Sequence, residues 1–216
     1  MTSLNHTSSF SNDEDARALF AALPAGNEAA NRRLRARLVA AAEAEGLLDV
    51  AYRTLDTPVG QLLLAATERG LVRVAYPREG HDRVLERLAE RISPRILNAP
   101  GKLDPAARQF DEYFAGARTR FDLPVDSRLS TGFRRDVLTH LPEIAYGRTA
   151  SYAEVAHLAH NPKAVRAVGT ACATNPLPVV IPCHRVVRTD GSLGEYVGGE
   201  AAKAFLLRLE SASFEQ

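Results

Sequence analysis

Ile181-Pro182-Cys183-His184-Arg185-Val186 places a cysteine between a proline and a histidine, inside an apolar run that begins at Pro176. Inert thiols are common in such runs, because a thiol behaves as a small hydrophobic group. A reactive thiol instead needs cationic or proton-accepting neighbours, since the thiolate is the nucleophile. The histidine and arginine that follow the cysteine provide such neighbours. These six residues alone leave a reactive and a structural thiol equally open.

Length and composition indicate an ordinary globular protein. The 216 residues suffice for one large domain or two small ones. Hydrophobic residues make up 45% and charged residues 25%, both typical of soluble proteins. A net charge of +1 gives no overall field that would attract nucleic acid. Between Ser127 and Gly194, however, eight Lys or Arg residues stand against four acids. This local excess fits phosphate contacts and equally fits a solvated surface.

The two cysteines, Cys172 and Cys183, are too few for a disulfide framework, and neither has zinc-site spacing. We therefore expect no metal and no cofactor. No apolar run approaches the roughly 18 residues of a membrane span. The N-terminus lacks the basic and apolar regions of a signal peptide. A cytoplasmic location, where a free thiol stays reduced, and no membrane partner are the expectation.

The first half of the chain predicts an extension followed by an α/β domain. Residues 1–48 are expected to form a helical N-terminal extension, partly disordered, with helices over Ala16–Leu23 and Asn27–Glu45. Residues 49–126 predict an α/β N-terminal domain. It would hold a small antiparallel sheet and two helices: strands Asp49–Leu55, Gln61–Thr67 and Leu71–Tyr76, and helices Val84–Ile92 and Pro105–Phe114.

Residues 127–216 predict a mostly α C-terminal domain that carries the cysteine. A first helix would run from Ser130 or Thr131 to about Leu141, and a final helix would cover Glu200–Glu210. Between them, Tyr152–Ala159 has Ser151 and Glu154 as a capping box, and Lys163–Ala173 follows a three-residue turn. Two short helices joined in this way form a helix-turn-helix pattern, which is typical of DNA binding but also of helical hairpins that bind nothing.

Several short motifs occur in one order along this domain. They are Ser151-Tyr152 at a helix start, Arg166-Ala167-Val168-Gly169 in the next helix, Asn175-Pro176 ahead of the cysteine stretch, Tyr196-Val197-Gly198-Gly199, and Glu210. Their combination resembles the O6-alkylguanine-DNA alkyltransferases, also called methylated-DNA–protein-cysteine methyltransferases. The resemblance covers about residues 49–210. It implies DNA repair by direct damage reversal, with Cys183 accepting an alkyl group irreversibly from O6 of guanine, or from O4 of thymine, once per molecule.

The resemblance also implies roles for the neighbours of Cys183. His184 would act as base through a water and be oriented by Glu210. Tyr152 would turn the target nucleotide out of the duplex and donate a hydrogen bond to guanine N3. Asn175 would form a hinge between the helix-turn-helix and the cysteine segment.

Further implied residues contact the base or the DNA. Arg166 would fill the gap in the base stack. Tyr196 and the backbone N–H of Val197 would line the guanine pocket, and the carbonyls of Cys183 and Val186 would read the exocyclic amine. The other substrate or DNA contacts would come from Lys163, Ala167, Arg185 and Gly198. The implied partner is double-stranded DNA containing O6-alkylguanine, bound by a monomer.

The sequence also leaves open two alternatives from other functional classes. A non-enzymatic sensor would bind alkylated DNA and recruit a partner, although relatives of that kind lack the cysteine. A cysteine hydrolase would use Cys183 and His184, but adjacent residues rarely place the imidazole for acyl transfer, and the sequence shows no oxyanion loop. A hydrolase turns over repeatedly, whereas an alkyltransferase stops at one equivalent.

Overall fold

Strand β2 (Leu62–Thr67) lies at the centre of the N-terminal sheet of the computed structural model, which describes residues 28–212. The sheet has four strands in the order β3-β2-β1-β4. Strand β2 is antiparallel to both neighbours, β1 (Val50–Leu55) and β3 (Gly70–Ala75). Its first four residues are all buried, as the continuous apolar run Leu62-Leu63-Leu64-Ala65 requires of a strand covered on both faces.

Each face of the sheet packs on one helix. Leu62 and Leu64 belong to the large core that includes Phe110 of α3 (Asp104–Phe114). Leu63 belongs to a second core with Val84 of α2 (His81–Arg91). Neighbouring side chains of a strand point to opposite faces, so β2 anchors both layers.

The sheet is mixed rather than purely antiparallel, which corrects the predicted topology. Strand β4 (Ile96–Asn98) pairs parallel with β1, with Val50 opposite Ile96 and Tyr52 opposite Asn98. The helical crossover through α2 returns the chain to the far edge of the sheet, as parallel pairing requires. Three residues are too few to show the alternating pattern that identifies a strand. The three predicted antiparallel strands are all present.

Helix α1 (Glu28–Ala44) precedes the sheet and corresponds to the predicted helix over Asn27–Glu45. It ends where Gly46 adopts a φ of 65°, a conformation that glycine reaches at little cost. The predicted disordered segment and the helix over Ala16–Leu23 lie outside the described residues. In residues 28–212, no helix is both long and apolar enough to cross a membrane.

The C-terminal part is mostly helical, as predicted. Its helices are α4 (Gly132–His140), α5 (Tyr152–Leu158), α6 (Val165–Ala173) and α7 (Glu200–Ala212). The predicted capping box begins α5: the backbone N–H of Glu154 donates to Ser151 Oγ at 3.2 Å, and the N–H of Ser151 donates to Glu154 Oε2 at 2.6 Å. Helices α5 and α6 pack together as the helix-turn-helix. Helix α6 begins two residues later than predicted.

A two-stranded parallel ladder connects the helix-turn-helix to the cysteine segment. Strand β5 (Ala150–Ser151) pairs with β6 (Val186–Val187), with Ser151 opposite Val187. Tyr152 follows β5 directly, and Cys183 lies one short 3₁₀ turn before β6. The ladder therefore fixes the start of the helix-turn-helix beside the thiol.

Replacing Ser151 with alanine tests this local anchor. The variant loses the side-chain acceptor of the capping box, so we expect about 1 kcal/mol less free energy of unfolding. Urea denaturation measures the loss. Thr139→Ala is the control, because Thr139 is exposed inside α4 and its hydroxyl donates to the carbonyl of Arg135 in the same helix, at 2.9 Å. Equal stability of the two variants would contradict the capping role.

Candidate active site

Cys183 begins the 3₁₀ turn Cys183–Arg185, and its thiol is 1% exposed. The side-chain amide of Asn175 donates to Cys183 Sγ at 3.1 Å and to the carbonyl of Ile181 at 2.9 Å. Asn175 Oδ1 in turn accepts from the backbone N–H of Leu177 at 2.9 Å. These bonds fix the amide with an N–H directed at the sulfur. They also place Asn175 at the junction expected of it, between α6 and the cysteine segment.

The thiol is protonated in the resting site. Burial raises the pKa of Cys183 to about 11, against the opposing effects of the Asn175 hydrogen bond and the nearby Lys203 ammonium. A nucleophilic sulfur at neutral pH therefore requires a base that removes the proton.

His184 has the properties of that base. It is fully buried, and burial lowers its pKa, so the imidazole is neutral near pH 7. Nε2 of His184 lies 2.8 Å from Oε1 of Glu210. An ionised carboxylate can only accept, so we assign the hydrogen to Nε2, which leaves Nδ1 with a free lone pair. Nδ1 is buried and has no hydrogen-bond partner among residues 28–212.

Glu210 itself accepts five hydrogen bonds although it has no exposed surface. Besides His184, its donors are Tyr113 Oη at 2.7 Å, the backbone N–H of Gly147 at 3.1 Å, and Arg185 through Nε at 2.9 Å and Nη2 at 3.0 Å. Burial alone would raise the pKa of Glu210, but the donors from His184 and Arg185 outweigh it and lower the pKa to about 2. The carboxylate is therefore ionised at every working pH.

The side chain of Arg185 differs from its expected place among the DNA contacts. It is 6% exposed, and besides Glu210 it donates to the carbonyl of Ile144 at 2.6 Å. Its guanidinium lies 5.7 Å from the ring centre of Tyr146. A guanidinium used in this way supports the Glu210 carboxylate from inside the protein and is not available to a phosphate. The sequence around an arginine next to a reactive cysteine does not show whether its side chain points into the protein or towards solvent.

The residues expected to line a guanine pocket begin with Tyr196, next to His184. Tyr196 is buried, and its ring centre is 6.3 Å from that of His184. Val197 and Gly198 follow it and are partly exposed. The carbonyl of Val186 already accepts from Lys203 Nζ at 2.5 Å, and that of Cys183 accepts from the Val186 N–H. A carbonyl oxygen has two lone pairs, so both retain capacity for a further donor.

The expected DNA contacts of the helix-turn-helix lie at the surface. Arg166 and Ala167 are exposed in the first turn of α6, and Lys163 is exposed in the turn before it. Tyr152 is half-buried at the start of α5, and its hydroxyl approaches Gly194 so closely that a side chain there would clash. Burial raises the pKa of Tyr152, so the phenol keeps its proton. Glu195 is exposed nearby.

Comparison with known proteins matches both halves of the chain. The family model for the ribonuclease-like domain of 6-O-methylguanine DNA methyltransferase matches residues 50–127, and the model for its DNA-binding domain matches residues 132–212. The constitutive methylated-DNA–protein-cysteine methyltransferase of Bacillus subtilis is 36% identical over 76% of this chain and 98% of its own length. The chain belongs to the methylated-DNA–protein-cysteine methyltransferase family.

Other members of the family are also similar to this chain in sequence and in fold. The methyltransferase of Mycobacterium tuberculosis (strain H37Rv) is 39% identical over 74% of this chain and 92% of its own. The crystal structure of Mycobacterium tuberculosis OGT in complex with DNA has a TM-score of 0.64 and 38% identity, covering 76% of this chain and 94% of that one. The family resemblance and the two-part fold inferred from the sequence are thus confirmed.

The site contains three further residues for which the sequence predicted no role. Tyr113 of α3 donates to Glu210, and Tyr76 hydrogen-bonds Tyr196 at 3.0 Å between the two hydroxyls. Lys203 is fully buried between the carbonyls of Val186 and Leu193. The first two come from the N-terminal domain, more than seventy positions before their partners, so no local pattern marks them. In the described part of the chain, no cluster of three or more His, Cys, Asp or Glu side chains could hold a metal ion.

Glu210→Gln tests the buried carboxylate. The variant leaves the Arg185 guanidinium buried without its counter-charge, so we expect a loss of about 3 kcal/mol in the free energy of unfolding at pH 7. Because the folded pKa is below the ordinary 4.5, the charge of Glu210 stabilises the wild type above pH 4.5, and this stabilisation fades as the pH falls towards 2. The variant should lack that part of the pH dependence.

Urea denaturation between pH 2 and pH 7 measures both effects. Glu143→Gln is the control, because Glu143 is an exposed acid that pairs with His140 at 2.7 Å. It should behave as the wild type does. A Glu210→Gln protein with unchanged stability at pH 7 would show that the carboxylate does not hold Arg185.

Proposed function

We propose that this protein repairs alkylated DNA by transferring the alkyl group from O6 of guanine, or O4 of thymine, to Sγ of its own Cys183. The observation that carries the proposal is a buried thiol in the cysteine-histidine motif of a methyltransferase family member, beside a neutral imidazole that is hydrogen-bonded to a buried carboxylate. The transfer forms a C–S bond and breaks the C–O6 bond. A thioether is a poor leaving group, so each molecule reacts once.

Proton movement can be assigned to named groups. His184 accepts the thiol proton at Nδ1, through a water, and the carboxylate of Glu210 stabilises the imidazolium that forms. The electron pair of the C–O6 bond passes to the departing guanine. Tyr152 donates its phenol proton to guanine N3, and the imidazolium proton returns to Tyr152 through solvent. Solvent then moves the proton from N3 to N1, which gives the ordinary keto form of guanine. The net products are guanine in DNA and S-alkylcysteine.

The exposed face of the helix-turn-helix supplies the DNA contact. A base inside a duplex cannot reach a thiol that is 1% exposed, so the nucleotide must rotate out of the stack. Tyr152 would turn it out, and the exposed side chain of Arg166 would occupy the space it leaves. Lys163 and the backbone at Ala167 would contact the phosphates and the groove, in a sequence-independent manner. Asn175 would keep this unit in register with Cys183, while Tyr196, Val197, Gly198 and Val186 would hold the base.

The same chemistry supports proposals for the location, the oligomeric state and the cofactor requirement of the protein. Both cysteines are free thiols. We propose a cytoplasmic location, because a reducing compartment preserves the Cys183 nucleophile. We propose that the protein acts as a monomer on double-stranded DNA and requires no cofactor, since the nucleophile, base and proton donor all come from one chain.

Intact-protein mass spectrometry with an O6-methylguanine oligonucleotide tests the transfer. We expect one adduct per protein, with the mass of one CH₂ unit (about 14 Da), mapping to Cys183. Cys183→Ala should give no adduct and still bind the alkylated duplex, whereas Cys172→Ala should react as the wild type does. Absence of an adduct with retained binding would favour a sensor, and repeated turnover would favour a hydrolase.

Arg166→Ala tests base rotation separately from chemistry. Arg166 is exposed, whereas Cys183 is buried. We expect the removal of the Arg166 side chain to slow the repair of duplex DNA at least tenfold, equivalent to about 1.4 kcal/mol in the barrier. The rate with free O6-benzylguanine should be unchanged, because a free base needs no rotation. Single-turnover kinetics on both substrates, with Arg148→Ala as an exposed-arginine control, make the comparison. Equal losses on both substrates would contradict the assigned role.

A further inference from the structure

We propose that strand β3 and the turn that follows it, through Arg73, Tyr76 and Glu79, position the hinge and the base-facing wall of the alkyl-acceptor site. This inference rests on the proposed function of Cys183. The three residues belong to the N-terminal domain, and none was singled out from the sequence. We infer that Arg73 and Tyr76 are positioning residues: Arg73 sets the hinge that bonds the sulfur, and Tyr76 sets the wall that faces the base.

Arg73 connects the sheet to the hinge. Its Nη1 donates to the carbonyl of Pro176 at 3.1 Å and to that of Asn175 at 3.4 Å. The backbone N–H of Val74 also donates to the Pro176 carbonyl, at 2.8 Å. Strand β3 therefore holds the main chain of the hinge at two adjacent peptide groups. Because the side chain of Asn175 donates to Cys183 Sγ, the position of this main chain sets the hydrogen bond at the sulfur.

Tyr76 supports the wall formed by Tyr196 and Gly198. Its hydroxyl lies 3.0 Å from that of Tyr196, and the two rings meet edge to face with centres 5.7 Å apart. Gly198 rests on the same ring: a Cβ added to it would lie 2.5 Å from Cζ of Tyr76. Any side chain at position 198 would therefore push the loop away. Tyr76 is 1% exposed, so it acts from beneath the pocket wall and does not touch the base.

Glu79 joins the two supports. Its Oε1 accepts from the backbone N–H of Tyr76 at 2.9 Å, and its Oε2 forms an ion pair with Nη2 of Arg73. The side chains of Arg73 and Glu79 are only 14% and 18% exposed, so this pair is better shielded from solvent than a surface salt bridge. A short 3₁₀ turn, Pro77–Glu79, follows the strand, and Glu79 at its end contacts Tyr76 and Arg73. One carboxylate thus fixes the guanidinium that reaches the hinge and the tyrosine that reaches the wall.

Arg73→Lys tests the hinge support, with Arg53→Lys as a matched control. Arg53 also projects from this sheet onto a carboxylate and a proline carbonyl, with Nη1 2.7 Å from Asp104 Oδ1 and 3.3 Å from the Pro100 carbonyl, but away from the site. Arg73 bonds the carbonyls with Nη1 and Glu79 with Nη2, whereas a lysine has one nitrogen on a shorter side chain, so we expect it to lose part of these contacts. The loosened Asn175 amide should stabilise the thiolate less, and the pKa of Cys183 should rise.

The rate of iodoacetamide modification at Cys183, followed by peptide mass as a function of pH, reports this change without any DNA substrate. At a pH well below the pKa of Cys183, we expect Arg73→Lys to react about tenfold more slowly than the wild type, equivalent to a pKa higher by about one unit. Asn175→Ala should change the rate in the same direction, and Arg53→Lys should not. If Arg73→Lys fails to fold, Glu79→Gln removes the charge that holds Arg73 and should give the same shift. A wild-type pH profile in the folded variant would overturn the proposal.

Tyr76→Phe tests the wall support, with Tyr52→Phe on strand β1 as the control. The variant keeps the ring beneath Gly198 and loses only the hydroxyl that bonds Tyr196. We expect single-turnover reaction with free O6-benzylguanine to show about fivefold weaker base binding, consistent with the loss of one hydrogen bond. The pH profile of Cys183 with iodoacetamide should stay unchanged. Unchanged base binding would overturn the wall role.

The two readouts separate this proposal from the function on which it rests. If the wild type does not react with alkylguanine, the proposed function fails, yet the iodoacetamide profile of Arg73→Lys still tests the hinge support. If the wild type reacts and all variants at positions 73, 76 and 79 match it, the function stands and the positioning proposal fails.

Discussion

The buried carboxylate of Glu210 is the interaction on which the site depends. Removing a carboxylate from water costs several kcal/mol unless other groups replace the lost hydrogen bonds. Here the replacements come from three separate segments: α3 through Tyr113, the loop before β5 through Gly147, and the cysteine turn through His184 and Arg185. All three meet Glu210 on the last helix. None of these segments can shift without breaking a hydrogen bond to a buried carboxylate. The demand for complete hydrogen bonding thus holds the site in one arrangement.

The same arrangement explains why the nucleophile is both stable and usable. Burial keeps Cys183 as a thiol, with its pKa raised to about 11, which protects it from casual oxidation and alkylation. Burial also lowers the pKa of His184, so a neutral base stands next to that thiol. Glu210 stays ionised and favours the imidazolium that forms when the proton moves. For a protein that reacts once, a nucleophile that is activated only on demand is an advantage.

Features that depend on residues close together in the chain could be predicted from the sequence, whereas features that depend on distant residues could not. The capping box of Ser151 and Glu154 lies within four residues, so its chemistry is visible in the sequence, and the helix begins there. The cysteine motif and its relation to Asn175 and Glu210 were recognised through family resemblance rather than from periodicity. Strand β4 was missed because three residues show no alternation. The inward direction of Arg185 depends on Glu210, twenty-five positions away, and no local pattern reveals it.

The contribution of the N-terminal domain was the hardest part to predict, and the contacts give the reason. Tyr113, Arg73 and Tyr76 read in sequence as core or surface residues of a small α/β domain. The hydrogen-bond partners of their polar atoms lie in the second half of the chain. These partners are Glu210, the main chain of Asn175-Pro176, and Tyr196. Three polar groups from one domain thus meet three different parts of the site in the other. A domain that merely covered the helix-turn-helix would need apolar contact alone, so these directed hydrogen bonds indicate that the sheet domain shapes the reactive centre as well as shielding it.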